Sequence, residues 1–220
     1  MLLSKKKKFI FIHVPKVAGQ SVTNALMPFA ASNWQRGLSF IIRYRYQLKI
    51  YTKLRKYTGI TFLPQPFVDH VRCDEVIQTI GLESFNTYFS FAFVRNPWAW
   101  ALSQYSYALK NTRHNRHRLV KDFSSFDSYL QWHCNEDENF YLQKSFVCDS
   151  DETLLVNFVG KQEQLEKDFN HVCEAIGIAS TLPTFNVSTK SSYKERYSQE
   201  SKDLIAERYA EDIDFFEYQF

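Results

Sequence analysis

The sequence predicts an α/β fold in three layers, with a mostly parallel central sheet flanked by helices. One pattern, met three times, carries that expectation. "FIFIHV" (9–14) is an uncharged β-branched and aromatic run, and a helical stretch from Gly19 to Phe29 follows it. "TYFSFAFV" (87–94) is a second such run, followed by Pro97 and "WAWALSQYSYALK". "TLLVNFVG" (153–160) is a third, followed by the amphipathic "EQLEKDFNHVCEAIG". Apolar runs without polar alternation suit strands covered on both faces, and strands alternating with helices imply parallel pairing.

The remaining elements follow in order. Residues 40–58 read as a helix with Arg43, Arg45, Lys49, Lys53, Arg55 and Lys56 and no acidic residue. Such a face is either a solvated surface or one that meets a polyanion. Residues 60–69 hold two prolines and the extended piece "PFVD", which ends at His70. Asp74 to Ile80 is a short helix stopped by Gly81. Pro97 opens its helix where a missing N–H costs nothing. "NTRHNRHR" (111–118) is a basic loop within a second basic patch over 110–121, and 125–146 is helical. Residues 180–193 form a loop, and 198–216 form a closing helix with Ser198 and Ser201 as candidate N-caps. No repeat, linker or boundary divides the chain, so 1–220 is expected to be one domain.

Bulk composition narrows the function classes. The chain has 220 residues, enough for a full core. Six Gly and six Pro argue against disorder, and a net charge of +3 is too small to signal nucleic acid. Cys73, Cys134, Cys148 and Cys173 form no CxxC pair, which leaves a zinc ribbon or a thioredoxin-type site unsupported. Buried free thiols are expected, with a Cys134–Cys148 disulfide as the alternative in an oxidising compartment. His114 and His117 have helical metal spacing but no carboxylate or cysteine close by in sequence, so no metal site is assigned. Lys5 to Lys8 before "FIFIHV" mimics a signal peptide, but a secretory core needs roughly 7–15 apolar residues and a cleavage site. No stretch approaches the ~18 apolar residues of a membrane span. The expectation is a soluble cytoplasmic protein, peripheral to a membrane at most, or the catalytic part of a longer one.

In open α/β sheets ligands bind beyond the carboxyl ends of strands. Three segments with chemistry fall there: Pro15–Ser21, His70 and Arg95–Ser103. A strand that turns into a helix presents unpaired N–H groups and a positive dipole end, which suits phosphate or sulfate. Lys16, Gly19 and Ser21 furnish that loop, but Lys16 precedes Gly19, so it is not a Walker A motif. Arg95 can grip a second phosphate in charge-assisted fashion. Two adjoining anion sites suggest a nucleotide phosphorylated at two positions.

"HVPKVAGQS" and "FVRNPWAWALSQY" together resemble the two cofactor-binding motifs of sulfotransferases that use 3′-phosphoadenosine 5′-phosphosulfate (PAPS), in particular the carbohydrate branch with its heparan and chondroitin enzymes. "FVGKQEQLEKDFNHVCEAIGI" and "AERYAEDIDFFEYQF" extend the resemblance over nearly the whole chain. It implies the sulfotransferase fold, a relative of the P-loop nucleotide-binding architecture. It also implies that Lys16, Ala18, Gly19, Gln20, Ser21 and Val22 line the 5′-phosphosulfate, that Arg95 and Ser103 hold the 3′-phosphate, and that His70 is the catalytic base. The loop Asn186–Tyr193 would close over the nucleotide. Gln20 replaces a usual Thr, Val17 also departs from the pattern, and Trp100 stands where many relatives carry an Arg.

The implied reaction moves a sulfo group to a carbohydrate hydroxyl, with Lys16 meeting charge on the departing oxygen and His70 taking the proton. The basic patches at 43–56 and 110–121 would attract an acidic glycan; Trp98, Trp100, Tyr105 and Tyr107 either pack in the core, the commoner fate of such residues, or stack on its sugars. The rivals are a P-loop-type kinase of a small molecule or sugar, a non-catalytic glycan-binding relative and, third, a nucleic-acid binder.

Overall fold

Three parallel strands place their carboxyl ends on one edge of the sheet. In the computed structural model these are β2 (Phe9–Ile12), β3 (Phe89–Val94) and β4 (Phe158–Lys161), and β1 (Leu2–Ser4) adds an antiparallel edge. The order is β1-β2-β3-β4. Residues 1–30, 70–183 and 193–220 are described. The predicted helix at 40–58 with its six cations, the piece at 60–69 and residues 186–192 of the 186–193 loop lie outside them.

Register follows the aromatic pattern. Phe9 stands opposite Phe89, and Phe11 opposite Phe91, which in turn faces Phe158. The Phe11 and Phe91 rings stack at 5.3 Å. An aromatic pair at this separation contributes about 0.5–1.5 kcal/mol beyond its buried area. All four β2 residues are buried, as their unbroken apolar run requires.

The helices that matter to the site start where the parallel strands end. Helix α1 (Gly19–Ala30) follows β2, and α4 (Pro97–Lys110) follows β3. Between them lie α2 (Cys73–Ile80) and α3 (Leu82–Phe85). The start of α4 has Pro97 at its first position and the Asn96 side chain accepting from the N–H groups of Trp98 and Ala99. Then come α5 (His117–Asp122), α6 (Phe126–Asn135), α7 (Leu165–Ala175), α8 (Gln199–Arg208) and α9 (Ala210–Phe215).

Several expectations are corrected. Lys5–Lys8 is the turn of a β1–β2 hairpin, and β1 itself has no counterpart in the sequence reading. The third strand runs over 158–161, not 153–160. Leu154 instead makes a lone bridge to Cys148. The helix expected over 125–146 ends at Asn135, because tertiary bonds replace helical ones beyond it. The Asp137 carboxylate takes Arg116 and His133, and the N–H groups of Gln143 and Lys144 donate to Asp212. The closing helix breaks at Tyr209, whose fully buried hydroxyl meets His133. Ser198 caps α8 by accepting the N–H of Ser201, so Ser201 is not the cap. All four cysteines are free and buried, which rules out the Cys134–Cys148 bond in this structure. Burial pushes the Cys73 and Cys134 thiols up to about 12.

Candidate active site

The loop after β2 carries the strain. Lys16 and Ala18 hold φ of 62° and 45°, the left-handed region that costs non-glycine residues roughly 1–3 kcal/mol each. Val17 between them is buried and anchors the turn in the core. Trp100 completes the anchorage: its indole N–H donates to the Pro15 carbonyl at 2.7 Å. The tryptophan at this departure position therefore ties the two motifs together. With Trp98, whose indole N–H donates to the Lys202 carbonyl, it is buried, so neither ring is open to a sugar. Tyr105 packs on Phe126 and Tyr129, and Tyr107 alone of the four aromatics is exposed.

Gly19 is needed for a reason the sequence does not display. A Cβ there would fall 1.8 Å from His13 Nε2. The His13 ring lies across the first turn of α1, stacked on Phe11 at 5.8 Å and tilted against His70 at 4.7 Å. Gln20 is exposed, and Ala18 and Ser21 are half-buried. Among the described residues no acceptor pairs with the N–H groups of Gly19, Gln20 and Ser21. Val22 differs: its side chain is in the core and its N–H donates to the Ala18 carbonyl at 3.1 Å. It supports the loop and presents no group to a ligand.

Two cations at this edge of the sheet repel one another. Burial and the nearby Arg95 pull the Lys16 ammonium down to about 8. Its Nζ rests 3.6 Å above the Tyr107 ring on α4. Arg95 is largely buried at the end of β3. Burial depresses its guanidinium, and Glu163 is the first of the groups that oppose this. No described carboxylate lies within ion-pair distance of either cation. The Arg95 peptide is gripped on both sides by the buried Gln143 amide, which accepts the N–H at 2.9 Å and donates to the C=O at 2.8 Å. Ser103 stands two turns into α4, half-buried, and no described hydrogen bond joins it to Arg95 or to the 15–21 loop.

His70 also sits in the left-handed region, at φ 60°. Its Nδ1 is 3.2 Å from the His13 carbonyl. A carbonyl only accepts, so neutral His70 carries its proton on Nδ1 and leaves Nε2 with a lone pair. That is the tautomer a general base needs. His114 is arranged oppositely: Nδ1 accepts the Arg116 N–H at 3.2 Å, which leaves the proton on Nε2. Its ring meets the edge of Tyr107 at 5.4 Å, so the basic segment after α4 lies beside Lys16. His117 Nδ1 is bound to the Ala108 carbonyl at 3.0 Å, away from any shared centre with His114.

Glu163 was missed by the sequence reading. The sequence shows it only as the first residue of a helix after the third strand, because its partners, the Asn96 N–H and the Tyr218 hydroxyl, come from distant segments.

The sulfotransferase family model matches residues 1–219. The chain is 24% identical over 198 residues to carbohydrate sulfotransferase 14 of Danio rerio, covering 80% of this chain and 48% of that protein. It therefore spans about half the length of that relative. An uncharacterized protein of Archaeoglobus fulgidus is 28% identical over 118 residues, 53% of this chain and 91% of its own. With a mostly parallel sheet and a cation-bearing loop at its carboxyl edge, the chain belongs to the sulfotransferase family.

Proposed function

We propose that the protein transfers the sulfo group of PAPS to a hydroxyl of an acidic carbohydrate. One observation supports this above the others: Lys16 and Arg95 are desolvated at the ends of adjacent parallel strands, repel one another and have no described ion-pair partner. An anionic ligand with two charged ends relieves both. The N–H groups at the start of α1, which no described acceptor pairs, fit a 5′-phosphosulfate, and Arg95 fits a 3′-phosphate.

PAPS supplies an activated sulfur and a bisphosphate leaving group. Lys16, at about 8, is mostly protonated at neutral pH and offsets charge growing on the departing oxygen. His70 Nε2 accepts the hydroxyl proton as the acceptor oxygen bonds to sulfur. Gly19, Gln20 and Ser21 hold the 5′ end. Lys110, Arg113, Arg118 and Lys121 lie exposed on the segment that His114 and Tyr107 join to Lys16, which suits an acidic glycan. The name of the Danio rerio relative also favours a carbohydrate acceptor. The same surface suits a peripheral membrane location. Among the described residues no helix is long and apolar enough to cross a membrane.

Calorimetric titration with adenosine 3′,5′-bisphosphate, beside ATP with magnesium, tests the donor. Selective binding of the bisphosphate is expected. Tight binding of ATP would replace this reading with a kinase, and binding of neither would leave a glycan-binding relative.

A further inference from the structure

The turn that presents Arg95 is clamped from a distance. Glu163 Oε1 accepts the Asn96 N–H at 2.8 Å, and Oε2 accepts the Tyr218 hydroxyl at 3.1 Å. Asn96 Nδ2 donates to the Gln219 carbonyl at 2.8 Å. So β3, β4 and the 218–219 segment converge on one peptide. Tyr218 is itself held, buried, with Lys161 Nζ 4.7 Å above its ring. The Glu163 carboxylate is the shared node, and it is spent on neutral donors. Although its charge faces Arg95, it does not close an ion pair with it. A carboxylate bound directly to the guanidinium would compete with a phosphate. One held aside by two hydrogen bonds orients the turn and leaves the guanidinium to the ligand.

We propose that Glu163 is a positioning residue for the 3′-phosphate subsite: it locks the Arg95–Asn96 turn to Tyr218 so that Arg95 discriminates for a 3′-phosphate. This rests on the donor reading above. A carboxamide at 163 still accepts from the Asn96 N–H, and its NH₂ donates to the Tyr218 hydroxyl, so Glu163→Gln preserves the clamp without the charge. Glu163→Ala removes it. Tyr218→Phe removes only the bond to Oε2 and keeps the ring packing.

The test is the ratio of affinities for adenosine 3′,5′-bisphosphate and adenosine 5′-monophosphate, which differ only in the 3′-phosphate. The unaltered protein should favour the bisphosphate. Glu163→Ala should lose about tenfold or more of that preference while its monophosphate affinity stays unchanged. Glu163→Gln should retain the preference, and Tyr218→Phe should lose part of it. Equal loss for both nucleotides, no loss in the alanine variant, or a glutamine variant as impaired as the alanine one would each overturn the proposal. If Glu163→Ala does not fold, Tyr218→Phe decides alone. A loss confined to the bisphosphate supports the clamp, and equal or absent loss overturns it. An unaltered protein with no preference overturns the donor reading, and the clamp with it, before any variant is made.

Discussion

Arg116 and the Lys16–Arg95 pair are handled in opposite ways. Arg116 makes two hydrogen bonds to Asp137, at 2.6 and 2.9 Å. His133 bridges the same carboxylate at 2.9 Å to the Tyr209 hydroxyl at 2.7 Å. Every charge there has a partner, and the network joins the basic segment to the break between α8 and α9. Lys16 and Arg95, by contrast, repel each other with no described carboxylate in contact. Buried charge that is paired specifies structure, and removing one partner is costly. Buried like charge left unpaired destabilises the free protein and is repaid only when an anion arrives. The first region holds the fold, and the second is the one proposed to bind the donor.

That contrast can be broken by substitution. The largest effect is expected from Asp137→Ala, which strands Arg116 and His133. It should cost about 3–5 kcal/mol of unfolding free energy in denaturant titration. Donor affinity should be unchanged wherever the variant stays folded. Loss of affinity without loss of stability would reverse the assignment of the two regions.

Lys16→Met should show the opposite signature. Turnover should fall roughly 10²- to 10³-fold, while the melting temperature stays the same or rises as repulsion with Arg95 is removed. A clear fall in melting temperature would make Lys16 a structural cation.

Acid and base sharpen the comparison further. Burial alone would raise the Asp137 carboxyl, but hydrogen bonds from His133, Arg116 and the Asn139 N–H together hold it below its usual 3.8. Its stabilisation is present above that value and is lost as pH falls through the lower folded value. Lys16 shares that sign for the opposite reason, since in the folded protein its charged form is the disfavoured one. Its folded value of about 8 lies below the ordinary 10.5, so between these limits the unfolded chain binds more protons and stability rises with pH. Bisphosphate affinity needs the protonated ammonium and should decline above about pH 8 in titrations across that range. Lys16→Met should flatten that decline.

The smallest effect is expected at Tyr107. Replacing the ring beneath Lys16 with Leu removes an exposed cation–π contact worth about 0.5–1 kcal/mol. A two- to fivefold fall in turnover should follow, approximately that energy expressed as a rate. Tyr107→Phe should restore it.

Legibility in the sequence tracked how local each cause was. The uncharged runs marked β2 and β3, and Pro97 marked the start of α4, because burial on both faces and a missing N–H act within a few residues. Lys16, Gly19 and Arg95 were legible as strand-end residues. Beyond Asn135 the prediction failed, since Asp137, Gln143 and Lys144 take their partners from distant segments and a local pattern cannot register them. For Trp98 and Trp100 the sequence leaves core and cleft both open for the same reason, since an aromatic residue looks alike in either, and the structure places both in the core.

By itself, the sequence determined the α/β class, the two strand-end motifs and the residue types at the proposed anion site, all of which depend on neighbours in the chain. Only the tertiary structure decided that Gly19 makes room for His13, that the His13 carbonyl selects the His70 tautomer, and that Trp100 binds one motif to the other. It likewise decided that Glu163 holds the Arg95 turn. These depend on atoms brought together from segments far apart in the chain, and hydrogen bonds and like-charge repulsion take their values from that separation in space.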